Sequence, residues 1–270
     1  MFKEVFENMT KSKPIIHSIT NYVTVNDCAN IILASGGSPI MSDEIEDIED
    51  VISFSDALVI NTGTLNARTV ESMIFAGKLA NKRNIPVVLD PVGIGATKFR
   101  NDVVDRLLSE IKFSVIKGNV SELKFLILRV GNTKGVDVFE KDITNVDNLQ
   151  SNINLFKKLS EDTNSIIVAT GEIDIITDKE KTYIVKNGSS FMGKITGAGC
   201  MLGSVIACYV ATNNDNILDS CTFAVSAFGL SGEIAEQNCQ GNGSFRVALI
   251  DNMSTFNYED LKGGMKIENY

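Results

Sequence analysis

The sequence predicts an α/β fold, with a central, mostly parallel sheet flanked by helices on both faces. Short β-branched or apolar runs recur along the chain and read as strands. Longer segments with helical spacing lie between them, and this alternation builds parallel strands joined by helical crossovers. The first strand spans 14–19, entered through Pro14, and a helix follows over 25–34. Over 43–50, Asp43, Glu44, Glu46, Asp47, Glu49 and Asp50 interleave with Ile45, Ile48 and, just beyond, Val51, the pattern of an amphipathic helix with one solvated face. Next come a strand at 57–61, a helix at 66–80, a strand at 86–90 bracketed by Pro86 and Pro91, a helix at 102–111, a strand at 113–117 and a helix at 120–128. Residues 130–145 are polar and weakly periodic, and read as a surface excursion. A helix at 148–159 leads to strands at 165–169 and 181–185, and the apolar run 201–211 reads as a helix. All four prolines, Pro14, Pro39, Pro86 and Pro91, fall at strand entries or just past strand ends.

With 270 residues, 44% of them hydrophobic, the chain can bury one large core, and no linker or internal repeat divides it. Residues 1–270 are therefore expected to form a single domain. The net charge is −9, 34 acidic against 25 basic residues, and no block of Lys and Arg marks a footprint for nucleic acid or an anionic membrane. Small molecules are the expected partners. The N-terminus is charged from Lys3 onward and lacks the apolar core of a signal peptide. The most apolar stretch, 199–212, is too short to cross a bilayer and reads as a buried helix. Five cysteines, odd in number and without a C-x-x-C pair, fit a reducing cytoplasm rather than a structural zinc site.

In a parallel sheet the loops leaving the carboxyl ends of the strands carry the chemistry. The sharpest local feature is Lys194-Ile195-Thr196-Gly197-Ala198-Gly199-Cys200, a glycine turn that opens an apolar helix. Gly197 and Gly199 let the backbone approach a ligand closely, and the free amides of a first helical turn favour an anion such as phosphate. Cys200 stands at that positive end, which favours a thiolate, and it could accept a proton from a substrate hydroxyl. The alternative is that Gly197 and Gly199 merely allow close packing and Cys200 is a small buried hydrophobe.

Asn119 and Glu122 stand three apart where the strand at 113–117 gives way to a helix, and both can point toward a bound metal or phosphate. Asn followed by Glu at this spacing is equally a helix capping box. Asp90 ends another strand and could help hold Mg²⁺, or simply begin the turn before Pro91. Phosphoryl transfer needs a metal, an anion cradle and a positioned base, and these loops offer candidates for each. There is no G-x-x-x-x-G-K-[ST] loop and no H-R-D loop, so ATP would be bound on a different scaffold. His17, the only histidine, lies in the first strand and is expected to position the loop that carries Asn21.

The Asn-x-x-Glu element at Asn119 and Glu122, followed downstream by Thr196-Gly197-Ala198-Gly199-Cys200, resembles the ribokinase-like superfamily, with Cys200 where that superfamily usually has Asp. That replacement, together with His17-Ser18-Ile19-Thr20-Asn21-Tyr22-Val23, Asn26, Ala29-Asn30 and Gly37-Ser38-Pro39-Ile40-Met41, resembles the hydroxyethylthiazole kinase family. Asn61-Thr62-Gly63-Thr64, Asp90-Pro91-Val92-Gly93, Thr170-Gly171-Glu172 and Gly241-Asn242-Gly243-Ser244-Phe245 extend the likeness over nearly the whole chain, most weakly over 130–145.

The resemblance implies a ribokinase-like fold and ATP-dependent phosphorylation of a thiazole alcohol in thiamine salvage. It implies Cys200 as the catalytic base, Gly197 in an anion hole beside the substrate, Met41 lining the thiazole pocket and Asn21 nearby. It also implies that Lys117 and Thr170, with Asn119 and Gly199, bind ATP, and that Asp90 and Glu122 act around Mg²⁺. Lys117 departs from the family's commoner Arg, exchanging a planar fork for a point charge. A homotrimer with active sites at subunit interfaces, in the cytoplasm, is implied as well. Three other readings stay open on sequence: a related hydroxymethylpyrimidine kinase, a nucleotide-binding protein that has lost the reaction, and a cysteine-nucleophile hydrolase. The last is disfavoured by having only His17, in a separate strand, to pair with a cysteine.

Overall fold

The computed structural model describes residues 2–130 and 148–270. Along the chain run α1 (Phe2–Ser12), β1 (Ile15–Ile19), α2 (Val25–Ala34), β2 (Ser38–Ile40), α3 (Ile45–Ser53), β3 (Ala57–Asn61), α4 (Ala67–Lys82) and β4 (Val87–Asp90). Then follow α5 (Lys98–Glu110), β5 (Val115–Asn119), α6 (Val120–Val130), α7 (Leu149–Thr163), β6 (Ile166–Thr170), β7 (Asp174–Thr177) and β8 (Thr182–Val185). A 3₁₀ turn at Ser190–Lys194 precedes α8 (Ala198–Thr212), α9 (Ile217–Asn238), α10 (Asn242–Thr255), α11 (Tyr258–Gly264) and β9 (Ile267–Asn269).

The strands form one sheet in the order β2-β1-β3-β4-β5-β6-β7-β8-β9. The six from β2 to β6 are parallel, and β7, β8 and β9 extend the edge antiparallel. Period two sorts the strand side chains onto two cores. Leu58, Ile60, Leu89, Ile116 and Ile167 pack with α3 to α7 on one face. Ala57, Val59, Val88, Val115 and Val168 pack with α1, α2 and α8 to α11 on the other. Burial on both faces is why these strands read as continuous apolar runs rather than as alternating ones.

Strand boundaries fall within two residues of the sequence reading, but α5 starts at Lys98 rather than 102. Thr97 caps it by accepting from the Arg100 amide, and Phe99, the one apolar residue of its first turn, is 51% exposed. No counterpart of β2, β7 or β9 was expected, since these have only three or four residues. α9 is the buried spine of one face and is long and apolar enough to cross a membrane, yet 83% of its apolar window is buried inside the fold. The excursion expected at 130–145 lies, past Val130, outside the described residues.

Parallel register brings the carboxyl ends of the strands together. Asn61 pairs with Asp90 across β3 and β4, and Asn119 with Thr170 across β5 and β6. The N-terminus of α8 packs over the same end, and α8 contacts β1, β3 and β4.

Candidate active site

Gly197 is the N-cap of α8, with φ at +88°, a conformation that glycine adopts without strain. A Cβ there would also lie 2.6 Å from Thr24 Cγ2, so the turn closes directly onto the start of α2. Cys200, half-buried, falls in the first turn of α8. Its Sγ accepts from two side-chain amides, Asn21 Nδ2 and Asn61 Nδ2, each at 3.3 Å. Asn21 Nδ2 also donates to Asn61 Oδ1 at 2.9 Å, and Asn61 Nδ2 to Asp90 Oδ2 at 2.8 Å. On the far side Lys117 Nζ donates to Asp90 Oδ1 at 3.2 Å. A connected polar line therefore runs from the sulfur to a buried cation.

Glu122 closes the neighbouring loop. Its Oε1 accepts from the Gly93 amide at 3.1 Å and its Oε2 from the Asn119 amide at 2.9 Å, while Asn119 Oδ1 accepts from the Glu122 amide at 2.8 Å. The reciprocal pair is a capping box, so both residues also serve the structural purpose that the sequence left open. Thr170 Oγ1 donates to the Gly118 carbonyl at 3.3 Å, next to Asn119.

Burial governs the electrostatics. It pushes the Asp90 carboxyl up to about 6, with Lys117 pulling it back and Glu122 adding to the rise. Burial draws the Lys117 ammonium down, but Asp90, Glu122 and Cys200 outweigh it and carry the group above its ordinary value. At neutral pH the two form an ion pair. Asp174, at the start of β7, is pushed by burial up to about 7 against the pull of the Gly171 amide and the Lys117 charge.

One ammonium facing Asp90 and Glu122 leaves a net negative pocket, which suits a divalent cation. Among the described residues no cluster of three or more His, Cys, Asp and Glu side chains could cage a metal. Each oxygen of Asp90 and Glu122 accepts one donor, leaving capacity for one more. This fits Mg²⁺ held mainly by phosphates and water, with the half-buried Glu122 more open to it than Asp90, which is 1% exposed.

Of the residues singled out from sequence, Cys200, Asn21, Gly197, Gly199, Lys117, Asp90, Glu122, Asn119 and Thr170 thus converge on one end of the sheet. Met41, half-buried, follows the edge strand β2 at this same end, two strands across from Asn61. His17 does not hold the Asn21 loop as expected. Its Nε2 lies 2.8 Å from the Ser42 carbonyl oxygen, beside Met41, and burial lowers its pKa, so it stays neutral as it fixes that segment. Sequence reasoning gave no role to Asn61, although a polar residue closing the apolar strand Ala57–Asn61, as Asp90 closes Val87–Asp90, was a usable signal. It also missed Arg100, whose guanidinium donates to the carbonyls of Thr62, Gly63 and Val92 and clamps two site loops together. Nothing in its helical context announced that. A groove of about 1380 Å³ runs under the opposite ends of the strands, past Pro86, Ser114 and Ser165, and holds none of these residues.

The pattern of the hydroxyethylthiazole kinase family matches residues 6–259. A hydroxyethylthiazole kinase of Clostridium tetani is 52% identical over 265 residues, covering 96% of this chain and 95% of that one. One of Clostridium acetobutylicum is 47% identical, covering 100% of both. The solved hydroxyethylthiazole kinase of Pyrococcus horikoshii OT3 superposes with a TM-score of 0.90 at 32% identity, covering 100% of this chain and 98% of that one. A ribokinase-like superfamily protein of Enterococcus faecalis, 13% identical over 92% of this chain and 88% of its own, shares the fold with a TM-score of 0.64. The fold is ribokinase-like, and the chain belongs to the hydroxyethylthiazole kinase family.

Proposed function

We propose that this chain transfers the γ-phosphoryl group of ATP to the hydroxyl of 4-methyl-5-(2-hydroxyethyl)thiazole, giving 4-methyl-5-(2-phosphooxyethyl)thiazole, in thiamine salvage. Family membership supports the substrate. The observation that carries the chemistry is a sulfur in the first turn of α8 that accepts two amide donors and connects to the Asp90–Lys117 pair.

In this reading Cys200 Sγ takes the proton as the substrate O–H bond breaks, and the freed oxygen pair attacks the γ-phosphorus in line while the bond to ADP breaks. The amides around Gly197 and Gly199 meet the charge that develops on the transferred group. Lys117, Thr170 and Asn119 hold the nucleotide, and Asn21 and Met41 line the thiazole side. Mg²⁺ beside Asp90 and Glu122 would neutralise charge on the phosphates.

The whole chain acts as one kinase domain, supported by a single sheet whose strands run from Ile15 to Asn269. Its compartment is the cytoplasm, in keeping with five cysteines that are all free. Its assembly is a homotrimer with active sites at subunit interfaces. Tyr22 and Val23, 78% and 60% exposed beside Asn21, are apolar surface for a neighbouring subunit to cover. A solution mass other than three times 29.3 kDa would remove the trimer.

The test of function is ADP release with ATP, Mg²⁺ and a panel of hydroxylated heterocycles, in which the thiazole alcohol should turn over fastest. Cys200→Ala should lower kcat between about 100- and 10,000-fold with little change in KM, and Cys200→Asp should retain activity. An unchanged rate in folded Cys200→Ala would take Cys200 out of the mechanism.

A further inference from the structure

The amides of Asn21 and Asn61 can be oriented in only one way. The backbone N–H of Gly63 lies 2.9 Å from Asn61 Oδ1, and the Asp90 carboxylate lies 2.8 Å from Asn61 Nδ2, so oxygen and nitrogen of Asn61 cannot be exchanged. The backbone N–H of Thr24 lies 3.1 Å from Asn21 Oδ1, which also accepts from Thr24 Oγ1 at 3.0 Å, and this fixes Asn21 likewise. Both NH₂ groups therefore face inward. Asn21 spends its two protons on Asn61 Oδ1 and Cys200 Sγ, and Asn61 spends its two on Asp90 Oδ2 and Cys200 Sγ. Asn21 and Asn61 are 4% and 2% exposed, so water does not compete freely for these donors.

A sulfur facing two committed donors is held as an acceptor. Neither amide offers an oxygen to a thiol proton, because Asn61 Oδ1 and Asn21 Oδ1 each already take two donors. We infer that Asn61 is a positioning residue for the phosphoryl transfer: it presents Cys200 Sγ as a proton acceptor and ties it rigidly to Asp90, and through Asp90 to Lys117. The inference rests on the reading of Cys200 as the base. Asn61 acts on the reaction through the sulfur that it touches. Its N–H holds the sulfur aimed as an acceptor, and its second N–H holds the Asp90 carboxylate on the other side. As the substrate O–H bond breaks, its proton goes to the sulfur lone pair that the two N–H donors leave free, and the electron pair left on the acceptor oxygen attacks the γ-phosphorus as the bond to ADP breaks.

The experiment is a double-mutant cycle read by steady-state ADP release with the thiazole alcohol, comparing parent, Asn61→Ala, Cys200→Ala and the double variant. A residue acting through the sulfur loses its effect once the sulfur is gone. Asn61→Ala should lower kcat by about 10- to 100-fold in the parent, as removal of an outer-shell partner does, with KM for ATP little changed, and by less than about threefold in the Cys200→Ala background. Alkylation of Cys200 by iodoacetamide, followed at that cysteine by mass spectrometry, should slow in Asn61→Ala. If Asn61→Ala does not fold, Asn61→Leu keeps the side-chain volume but withdraws both donors without adding charge beside Asp90, and should give the same pattern. If Cys200→Ala turns over like the parent, the reading of Cys200 as base falls and takes this inference with it. If Cys200→Ala is slow, but Asn61→Ala is as fast as the parent, costs the same factor in both backgrounds, or leaves alkylation unchanged, the inference alone is overturned.

Discussion

Replacing Lys117 with Met tests the electrostatic centre of the site through stability rather than turnover. The ammonium lies 3.2 Å from Asp90, with side chains 5% and 1% exposed. At that separation and an effective dielectric of about 20, the attraction is about 5 kcal/mol. Asp90 in the parent titrates at about 6 with Lys117 already pulling it down, so without the cation it must titrate higher. Below pH 6 the carboxyl is protonated in both proteins, and the difference between them is flat. Above pH 6 the parent ionises while native Lys117→Met holds its proton, which the unfolded chain releases from about pH 4 upward. The variant then loses stability relative to the parent at about 1.4 kcal/mol per pH unit, or roughly 3 kcal/mol between pH 6 and pH 8. The 5 kcal/mol attraction is large enough to sustain that slope over the whole interval. Urea unfolding of both proteins between pH 5 and pH 8 measures it. Parallel stability profiles from pH 6 to pH 8 would show that Lys117 does not hold Asp90 ionised, and the buried pair would be lost from the argument.

Gly197→Ala places a side chain at φ +88° and 2.6 Å from Thr24 Cγ2, so it should cost about 2 kcal/mol or more and reduce kcat/KM by disturbing the threonine that holds Asn21. Thr24→Ser keeps the hydroxyl and removes the methyl group, and adding it should return part of the loss; a double variant no better than Gly197→Ala would rule out that contact as the cause. Asp174→Asn should stabilise the protein at high pH. The folded carboxyl titrates at about 7 against about 3.9 unfolded, so the parent loses stability as pH rises through that window. Relative to pH 4, the variant should gain up to about 4 kcal/mol at pH 8 by urea unfolding, and a gain that does not depend on pH would contradict the burial of Asp174.

The sequence made the parallel half of the sheet legible because those strands are buried on both faces and bracketed by turns, as in Ala57–Asn61 and Val87–Asp90. It concealed β2, β7 and β9, whose three or four residues carry too little pattern to separate from loop. The glycine turn and the carboxyl-end acids were readable because each breaks a local pattern, a φ that favours glycine or a charge at the end of an apolar run. Asn61 broke its run in the same way, yet its significance depends on pairing with Asp90 and on Cys200, 139 residues downstream. Arg100 gave no signal, because its partners are backbone carbonyls that any sequence would supply. His17 shows the converse. Its chemistry drew attention, and register then placed it opposite Ile40, where it secures Ser42 rather than the Asn21 loop.

Space left by glycines is what lets this cluster close. A Cβ at Gly63 would lie 2.8 Å from Asn21 Cβ and Nδ2, and one at Gly199 would lie 3.0 Å from Lys117 Nζ. The two positions differ in how far the neighbour can yield. Asn21 is held by Thr24 at its oxygen and by Asn61 and Cys200 at its nitrogen, so it has nowhere to retreat. Lys117 ends a flexible stem and can shift by a few tenths of an ångström, at the expense of its bond to Asp90. The Cys200 side of the site is therefore built to one geometry, whereas the Lys117 side retains some travel. That division suits the proposed transfer, in which the proton acceptor must meet one hydroxyl oxygen while the cation follows a phosphoryl group as it moves from donor to acceptor.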